Sequence, residues 1–233
     1  MYRFSTIQAY WLLCGGELSD LRVSMTAAPT EHRSSGDYQR SSVERIRDAA
    51  LQCFAARGTS ATSLRAVAAE AGVSLGLVQH HFETKANLIK AVDDHVLGVM
   101  NTALVQRMPE AAVDSITDVG DRVTSLVADE PDVVAYVVRA LTDGSSLGTQ
   151  VFDSLADLGA ERWEARRNAG LTRPDLDRTW GALNPLVLAL GAWILREHIE
   201  RHLPEPFDTP AQLERWSSAV NALLRGGQMR DES

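Results

Sequence analysis

The sequence predicts an all-α protein with nine helices after residue 40. Three observations support this prediction: apolar residues recur at helical spacing, no segment alternates as a half-buried strand would, and helix-breaking residues lie between the periodic segments. The chain has 233 residues, of which 45% are apolar and 23% are charged. These values are typical of a globular protein with a sizeable core.

The first four helices are predicted from their starts and stops. A capping box formed by Ser41 and Glu44 marks the first helix, and Gly58 ends it. We expect Thr62 and Ser74 to cap the second and third helices, because hydroxyl side chains accept hydrogen bonds from the first turn. The resulting helices cover residues 41–58, 63–72, 74–82 and 84–107.

Five further helices are predicted over residues 113–129, 131–142, 146–170, 175–202 and 210–225. Prolines and glycines lie near these boundaries, in agreement with the usual helix-start and helix-stop chemistry. The stretch from Pro185 to Leu195 contains 11 residues without a charge. Because a helix needs about 20 apolar residues to cross a bilayer, this stretch indicates a buried helix rather than a membrane anchor.

The first 40 residues are expected to be a disordered N-terminal arm or the product of an over-extended reading frame. Residues 26–40 are rich in Ser, Thr and Arg, and Met25 is a candidate for the true start. The apolar stretch before Cys14 is interrupted by polar residues, which argues against an export signal. Cys14 and Cys53 show no disulfide or metal-ligand spacing, so we expect the protein to work in a reducing cytoplasm.

A helix–turn–helix motif over residues 63–82 indicates the partner most directly. Its second helix is short and follows a tight turn, a geometry that fits the major groove of DNA. Residues 41–90 have a net charge of +2, whereas residues 91–233 have −10, which explains the overall −8. A mildly basic module on an acidic body is typical of a DNA reader with a separate sensing or assembly domain.

The spacing of the second motif helix predicts one face for the core and one for DNA. Val78 and Phe82 are expected to face the core, while Gln79 can make two hydrogen bonds to an adenine and His80 can reach a base or a phosphate. Lys85 can neutralise a phosphate, and the two leucines of this helix, expected to project outward, can contact thymine methyl groups. The candidate DNA-binding residues are Thr62, Arg65, Ser74, Leu75, Gly76, Leu77, Gln79, His80 and Lys85.

This stretch resembles the TetR family of transcriptional regulators. The matching residues, in order, are Ile46 to Phe54, Thr62 to Ala68, Ala71 to Ser74, Gly76, His80, Phe82, Thr84, Lys85 and Leu88, and the chain ends similarly at Leu213, Arg215, Trp216, Ala219, Leu223, Leu224, Gly226 and Gly227. The resemblance implies a nine-helix TetR-like architecture, with a helix-turn-helix DNA-binding domain over 41–90 and an effector-binding and dimerisation domain over 91–233. The family commonly has aromatic residues at the positions of Gln79 and His81, so a relative's operator is not transferable.

The resemblance also implies a homodimer and a small-molecule effector. The eighth and ninth helices would pair with those of a second copy, and two-fold symmetry would then require a palindromic operator. The expected interface residues are Trp180, Leu183, Val187, Leu190, Ile194, Leu213, Trp216, Val220 and Leu223. The expected residues of an effector cavity between helices four and seven are Met100, Asn101, Leu104, Tyr136, Arg139, Phe152 and Trp163. The alternative is that both sets only pack the monomer.

The sequence leaves three functions to compare. The favoured one is a dimeric transcriptional repressor that an effector releases from its operator, without cofactor, metal or catalytic residue. The second is a helical interaction module that has lost DNA binding. The third is a metal-dependent enzyme, because His198 and His202 lie four residues apart beside Glu197 and Glu200, although further ligands and the zinc-protease order are missing.

Overall fold

Helices make up most of the chain that the structure, a computed structural model, describes: residues 41–103 and 123–229. They are α1 (Ser42–Arg57), α2 (Leu64–Glu70), α3 (Leu75–Phe82), α4 (Lys85–Asn101), α5 (residues 123–129), α6 (Pro131–Thr142), α7 (Ser146–Asn168), α8 (Arg178–Ile194), α9 (Arg196–Glu200) and α10 (Pro210–Gln228). The described ranges contain one isolated antiparallel bridge, Thr172 to Met229, and no strand. The all-α prediction is confirmed. The predicted arm over 1–40 lies outside the described residues.

Side-chain caps fix the start of the first and third helices. Ser41 Oγ accepts a hydrogen bond from the Glu44 N–H at 3.2 Å, and the Ser41 N–H donates to Glu44 Oε2 at 2.8 Å. The predicted capping box is therefore confirmed. Ser74 Oγ accepts from the Leu77 N–H at 3.2 Å, as expected of a cap. The first helix ends at Arg57 and is followed by Gly58, the predicted stop, whose φ of 81° favours glycine.

The eighth helix, predicted over residues 175–202, is divided in the structure. It begins later than predicted, because Asp177 Oδ1 caps α8 by accepting from the Trp180 N–H at 2.9 Å. The chain leaves helical geometry at Leu195, with φ −95° and ψ 9°, and α9 follows. This break lets Phe207 return against Trp193, with ring centroids 5.1 Å apart. No helix in the described ranges is both long and apolar enough to span a membrane.

One core runs through α1, α2, α3, α4, α6 and α7. Its buried residues include Val78 and Phe82 of α3, Leu88 of α4, and Val133 and Val137 of α6. Because these side chains belong to one contiguous cluster, the helix–turn–helix is packed against later helices rather than joined to them only by a linker. The domain boundary proposed at residue 90 stays a prediction.

A second, smaller core lies beneath α8, α9 and α10. Its buried members are Val127, Ala192, Trp193, Phe207 and Leu213. The Phe207 ring lies between the rings of Trp193 and Trp216, at centroid distances of 5.1 Å and 5.8 Å. Such aromatic pairs add roughly 0.5–1.5 kcal/mol to the free energy of unfolding beyond simple burial. These rings therefore anchor the loop after α9 to α8 and α10.

The close approach of α6 and α7 depends on Gly148. A Cβ atom at this position would lie deep inside the van der Waals radius of the Ala140 carbonyl oxygen, and 2.8 Å from the Leu141 nitrogen. Backbone atoms cannot move aside as the end of a flexible side chain can. Any larger residue at position 148 would therefore push the two helices apart.

We expect Gly148→Ala to lower the free energy of unfolding by about 1–3 kcal/mol, the usual cost of overpacking. The matched control is Gly98→Ala on α4, where a Cβ atom meets nothing within 4 Å. The control should raise stability by roughly 0.5–1 kcal/mol, because alanine restricts the unfolded chain. Urea denaturation followed by circular dichroism measures both variants. Equal effects would contradict the close backbone contact of α6 and α7.

Candidate nucleic-acid interface and ligand cavity

The helix–turn–helix is formed by α2 and α3, and backbone hydrogen bonds shape the turn between them. The Val73 N–H donates to the Ala68 carbonyl at 2.9 Å, and Gly72 adopts a φ of 65° that suits glycine. Val78 is fully buried and Phe82 is nearly so, which fixes the inner face of α3 to the core. The opposite face of α3 is thereby directed to solvent.

The solvent face of α3 includes several of the predicted DNA contacts. Gly76, Gln79 and His80 are exposed, and their spacing of three and four residues places them on one side of the helix. Leu75 and Leu77 were expected to project outward, but they are half-buried and pack against the core. The reason is that α3 has only eight residues and lies against both α2 and α4.

Thr62 does not have the role that the sequence predicts for it. It is 2% exposed, and its Oγ1 donates to the Gly58 carbonyl at 2.8 Å and to the Cys53 carbonyl at 3.3 Å. The cap of α2 is Ser63, whose Oγ accepts from the Ala66 N–H at 3.1 Å. The predicted cap and phosphate contact at Thr62 are wrong, because its hydroxyl is turned inward to the end of α1.

Basic side chains lie beside α3 on the neighbouring helices. Arg65 is exposed on α2, and Lys85 begins α4, with its Nζ donating to the Ser60 carbonyl at 3.4 Å. His81 Nε2 and Ser42 Oγ form a hydrogen bond of 3.0 Å, which ties the end of α3 to α1. The exposed face of α3 is therefore flanked by positive charge, and the C-terminal end of this helix is tied to α1.

A cavity of about 180 Å³ lies among α4, α5, α6, α7, α8 and α10. Its described lining is largely apolar and includes two of the predicted effector residues, Met100 and Trp163. Asn101 is exposed on α4, Phe152 is half-buried outside the lining, and Leu104 lies outside the described residues. The cavity thus extends beyond the predicted space between helices four and seven.

Tyr136 and Arg139 do not line this cavity, contrary to the prediction. Tyr136 Oη donates to Asp93 Oδ1 on α4 at 2.8 Å. Arg139 donates through Nε to the Ala55 carbonyl at 3.1 Å and through Nη2 to the Ala56 carbonyl at 3.2 Å. The polar groups of α6 are therefore used to join this helix to α4 and to the last turn of α1.

Burial determines the protonation of the Tyr136–Asp93 pair. Desolvation raises the pKa of the Asp93 carboxyl above its ordinary value, although the hydrogen bond from Tyr136 acts in the opposite direction. The same burial, together with the bond to Asp93, raises the pKa of the Tyr136 hydroxyl. Tyr136 therefore remains a hydrogen-bond donor to Asp93 at neutral pH.

The polar side of the cavity was missed by sequence reasoning. Arg162 and Arg166 of α7 line it, and so do Ser217, Asn221 and Gln228 of α10. The family layout implies an effector site among helices four to seven, so no residue of the last helix was expected to line it. The signal that could have found these residues was polar side chains four apart beside an apolar stripe, on both α7 and α10.

Known proteins share this combination of an exposed helix–turn–helix, whose second helix α3 is called the reading helix below, and further helices that enclose a cavity. The family model described as bacterial regulatory proteins, tetR family, matches residues 46–92, and the tetracyclin repressor-like C-terminal domain matches residues 129–223. The HTH-type transcriptional regulatory protein RaaS of Mycobacterium tuberculosis is 30% identical over 175 residues, which cover 74% of this chain and 78% of RaaS. The chain belongs to the TetR family.

Two further similarities agree with this TetR assignment. The HTH-type transcriptional repressor Rv3405c of Mycobacterium tuberculosis is 38% identical over 137 residues, which cover 58% of this chain and 66% of that protein. The structure of AibR in complex with isovaleryl coenzyme A and operator DNA has a TM-score of 0.62 at 19% identity, covering 79% of this chain and 99% of AibR. TetR-family proteins are transcriptional regulators, not enzymes, and they bind operator DNA and small-molecule effectors as homodimers.

In this TetR-family regulator, the residues predicted for the dimer interface divide between surface and interior. Trp180, Val187 and Ile194 recur every seven residues along α8 and are 58%, 50% and 41% exposed, and Leu223 on α10 is 62% exposed. The others lie further inside: Leu183 is half-buried, Leu213 is in the core, and Leu190, Trp216 and Val220 line the cavity. The surface set forms an apolar stripe that the monomer leaves uncovered.

Two of the residues considered for a metal site, His198 and Glu200, have other side-chain partners. Within residues 41–103 and 123–229, no group of three His, Cys, Asp or Glu side chains could hold a metal ion. His198 Nδ1 lies 2.8 Å from Arg201 Nη2, and Glu200 Oε1 accepts from Arg196 Nε at 2.8 Å. His198 therefore contacts the arginine just after α9, and Glu200 forms an ion pair within the helix.

Thr62→Val is expected to lower the free energy of unfolding by about 1–3 kcal/mol, because the buried carbonyls lose their donor. The folded variant should keep its operator affinity, since the hydroxyl does not face DNA. Urea denaturation and fluorescence anisotropy with labelled DNA measure the two quantities. Thr149→Val, at an exposed position of α7, is the matched control and should change neither. Weaker DNA binding with unchanged stability would instead indicate that Thr62 contacts DNA.

Proposed function

We propose that this TetR-family regulator is a dimeric repressor that a small-molecule effector releases from a palindromic operator in the cytoplasm. The main support is the exposed face of α3, where Gln79 and His80 project to solvent from a helix fixed by buried Val78 and Phe82. A short helix fixed in this way can enter the major groove as a rigid unit. AibR, which has this fold, was solved with both isovaleryl coenzyme A and operator DNA.

The proposed base contacts lie on the exposed side of α3. The Gln79 amide can make two hydrogen bonds to an adenine, and His80 can bond a base edge. Gly76 has no side chain, so the backbone can approach the groove closely. Leu75 and Leu77 can offer only their outer atoms to thymine methyl groups, because both are half-buried.

The proposed phosphate contacts flank α3 and fix its position along the groove. Ser74 is an exposed cap at the start of α3, Arg65 is exposed on α2, and Lys85 stands at the start of α4. Phosphate contacts orient a reader without selecting a sequence. They also release counterions, so operator binding is expected to weaken steeply as the salt concentration rises.

The proposed dimer interface is the uncovered apolar stripe of α8 together with Leu223 of α10. Trp180, Val187 and Ile194 lie on one face of α8 and are each more than one third exposed. Pairing this stripe with the same stripe of a second copy would cover it and set two α3 helices at a fixed separation. That separation selects the distance between the two half-sites of the operator.

We infer that α6 transmits the effector signal. Val134, Val137 and Val138 of this helix line the cavity, whereas Tyr136 and Arg139 bond to α4 and α1. A ligand that displaces α6 would therefore also displace the helices against which α3 packs. Coupling of this kind lowers operator affinity when the cavity is filled, because the two reading helices lose their spacing.

The double variant Gln79→Ala/His80→Ala is expected to lose specific DNA binding and remain folded. A good base contact contributes about 1–3 kcal/mol of discrimination, so affinity for the operator should fall by about tenfold or more. Gel shifts against the chain's own upstream DNA measure this loss. The matched control is Gln150→Ala/His202→Ala, which removes the same side-chain types from exposed positions elsewhere.

Wild-type binding by the Gln79 and His80 variant would contradict DNA reading by α3. The same conclusion would follow if the wild-type protein bound its upstream DNA no better than random duplex at moderate salt. Either result would favour the helical interaction module over the repressor.

Val187→Glu is expected to convert the dimer into a monomer, because it buries a carboxylate at the centre of the apolar stripe. Size-exclusion chromatography with light scattering measures the mass in solution. The matched control is Val43→Glu on α1, where the native valine is 41% exposed, close to the 50% of Val187. A Val187→Glu protein that stays dimeric would place the interface on another surface.

A further inference from the structure

The charge inside the cavity has one sign. Arg162 and Arg166, four residues apart on α7, are its charged lining residues in the described ranges, where no Asp, Glu, Lys or His contributes. Both arginines also interact with other groups of the protein. Burial lowers the pKa of the Arg166 guanidinium, because the loss of hydration disfavours its charged form. An anion in the cavity would compensate for that loss.

Two tryptophans with buried indole N–H donors line the same cavity. Trp163 and Trp193 line the cavity and are 3% and 8% exposed. Neither Nε1 has a hydrogen-bond partner among the residues that the structure describes. A buried donor without an acceptor is destabilising, so native proteins rarely retain one without a reason. A ligand with an acceptor oxygen would supply the missing partner.

The remainder of the lining accepts an apolar body. Valines and leucines of α5, α6, α7 and α8 form a large share of the wall, and Ser217, Asn221 and Gln228 of α10 add uncharged polar edges. The volume of about 180 Å³ lies below the ~300–1,000 Å³ of pockets for drug-sized ligands. The occupant must therefore be small, and a single short chain or ring fits this limit.

We propose that the effector is a small apolar carboxylate, bound with its carboxylate toward Arg162, Arg166 and the two indole N–H groups. This inference names the effector class and rests on the proposed function. Arginine and carboxylate form paired hydrogen bonds that neither an alcohol nor a cation can reproduce. The apolar wall selects for the hydrocarbon body and against small hydrophilic acids.

The first test compares three probes of equal chain length on the purified full-length protein. Octanoate, octan-1-ol and octyltrimethylammonium are titrated, with calorimetry and the fluorescence of the lining tryptophans as readouts. We expect octanoate to bind at least about tenfold more tightly than the alcohol, since the alcohol lacks charge-assisted bonds. Equal or tighter binding of the alcohol or the cation would overturn the proposal.

The second test removes one charge at a time. Arg166→Gln should weaken octanoate binding by about tenfold or more and leave binding of octan-1-ol unchanged. The matched control is Arg167→Gln, because Arg167 is the next residue of α7 and is exposed. If Arg166→Gln does not fold, as judged by circular dichroism, Arg162→Gln replaces it. Octanoate binding that is unchanged in a folded variant would overturn the proposal.

A gel shift separates this proposal from the function on which it rests. Octanoate that binds the protein but leaves the operator complex intact would support the ligand class and contradict effector release. If the protein binds its operator but does not bind octanoate more tightly than the alcohol or the cation, the proposed ligand class is contradicted. The proposed DNA-binding function is then still supported.

Discussion

The hydrogen bonds from Arg139 to the last turn of α1 join the cavity-lining helix α6 to the helices that support α3. The guanidinium reaches the Ala55 and Ala56 carbonyls, which the last turn of a helix leaves without intrahelical partners. Tyr136, three residues earlier, bonds Asp93 on α4. With its polar groups committed in this way, α6 can turn only apolar side chains toward the cavity. The reading helix and the cavity wall are thus positioned by the same helix.

This arrangement explains how a rigid core can also respond to a ligand. The core is continuous through α1 to α4, α6 and α7, so a displacement of α6 cannot be absorbed within one helix. The close contact between Gly148 and Ala140 couples α7 to α6 in the same manner. The cavity also touches α8 and α10, whose outer residues form the proposed dimer surface. A ligand would therefore contact both elements that determine the separation of the two reading helices.

Most helix starts, the all-α class and the buried face of α3 could be predicted from the sequence because they depend on local spacing, although α8 begins after Asp177 rather than at residue 175. The hydrogen-bond partner of a given side chain could not be predicted in this way. Thr62 and Ser63 are adjacent hydroxyl residues, and only the packing of α1 decides which is buried and which is the cap. Tyr136 finds its partner 43 residues away. Periodicity indicates a face but not its neighbour, which is why Trp216 and Val220 line the cavity instead of the outer surface.

The most direct test of the account is the effect of octanoate on operator affinity in the wild type and in Arg139→Met. Octanoate should weaken operator binding by the wild type, and the operator should weaken octanoate binding by the same factor, as linkage requires. In Arg139→Met, octanoate should still bind, since Arg139 does not line the cavity, but operator affinity should respond far less. An unchanged response in this variant would contradict transmission through α6.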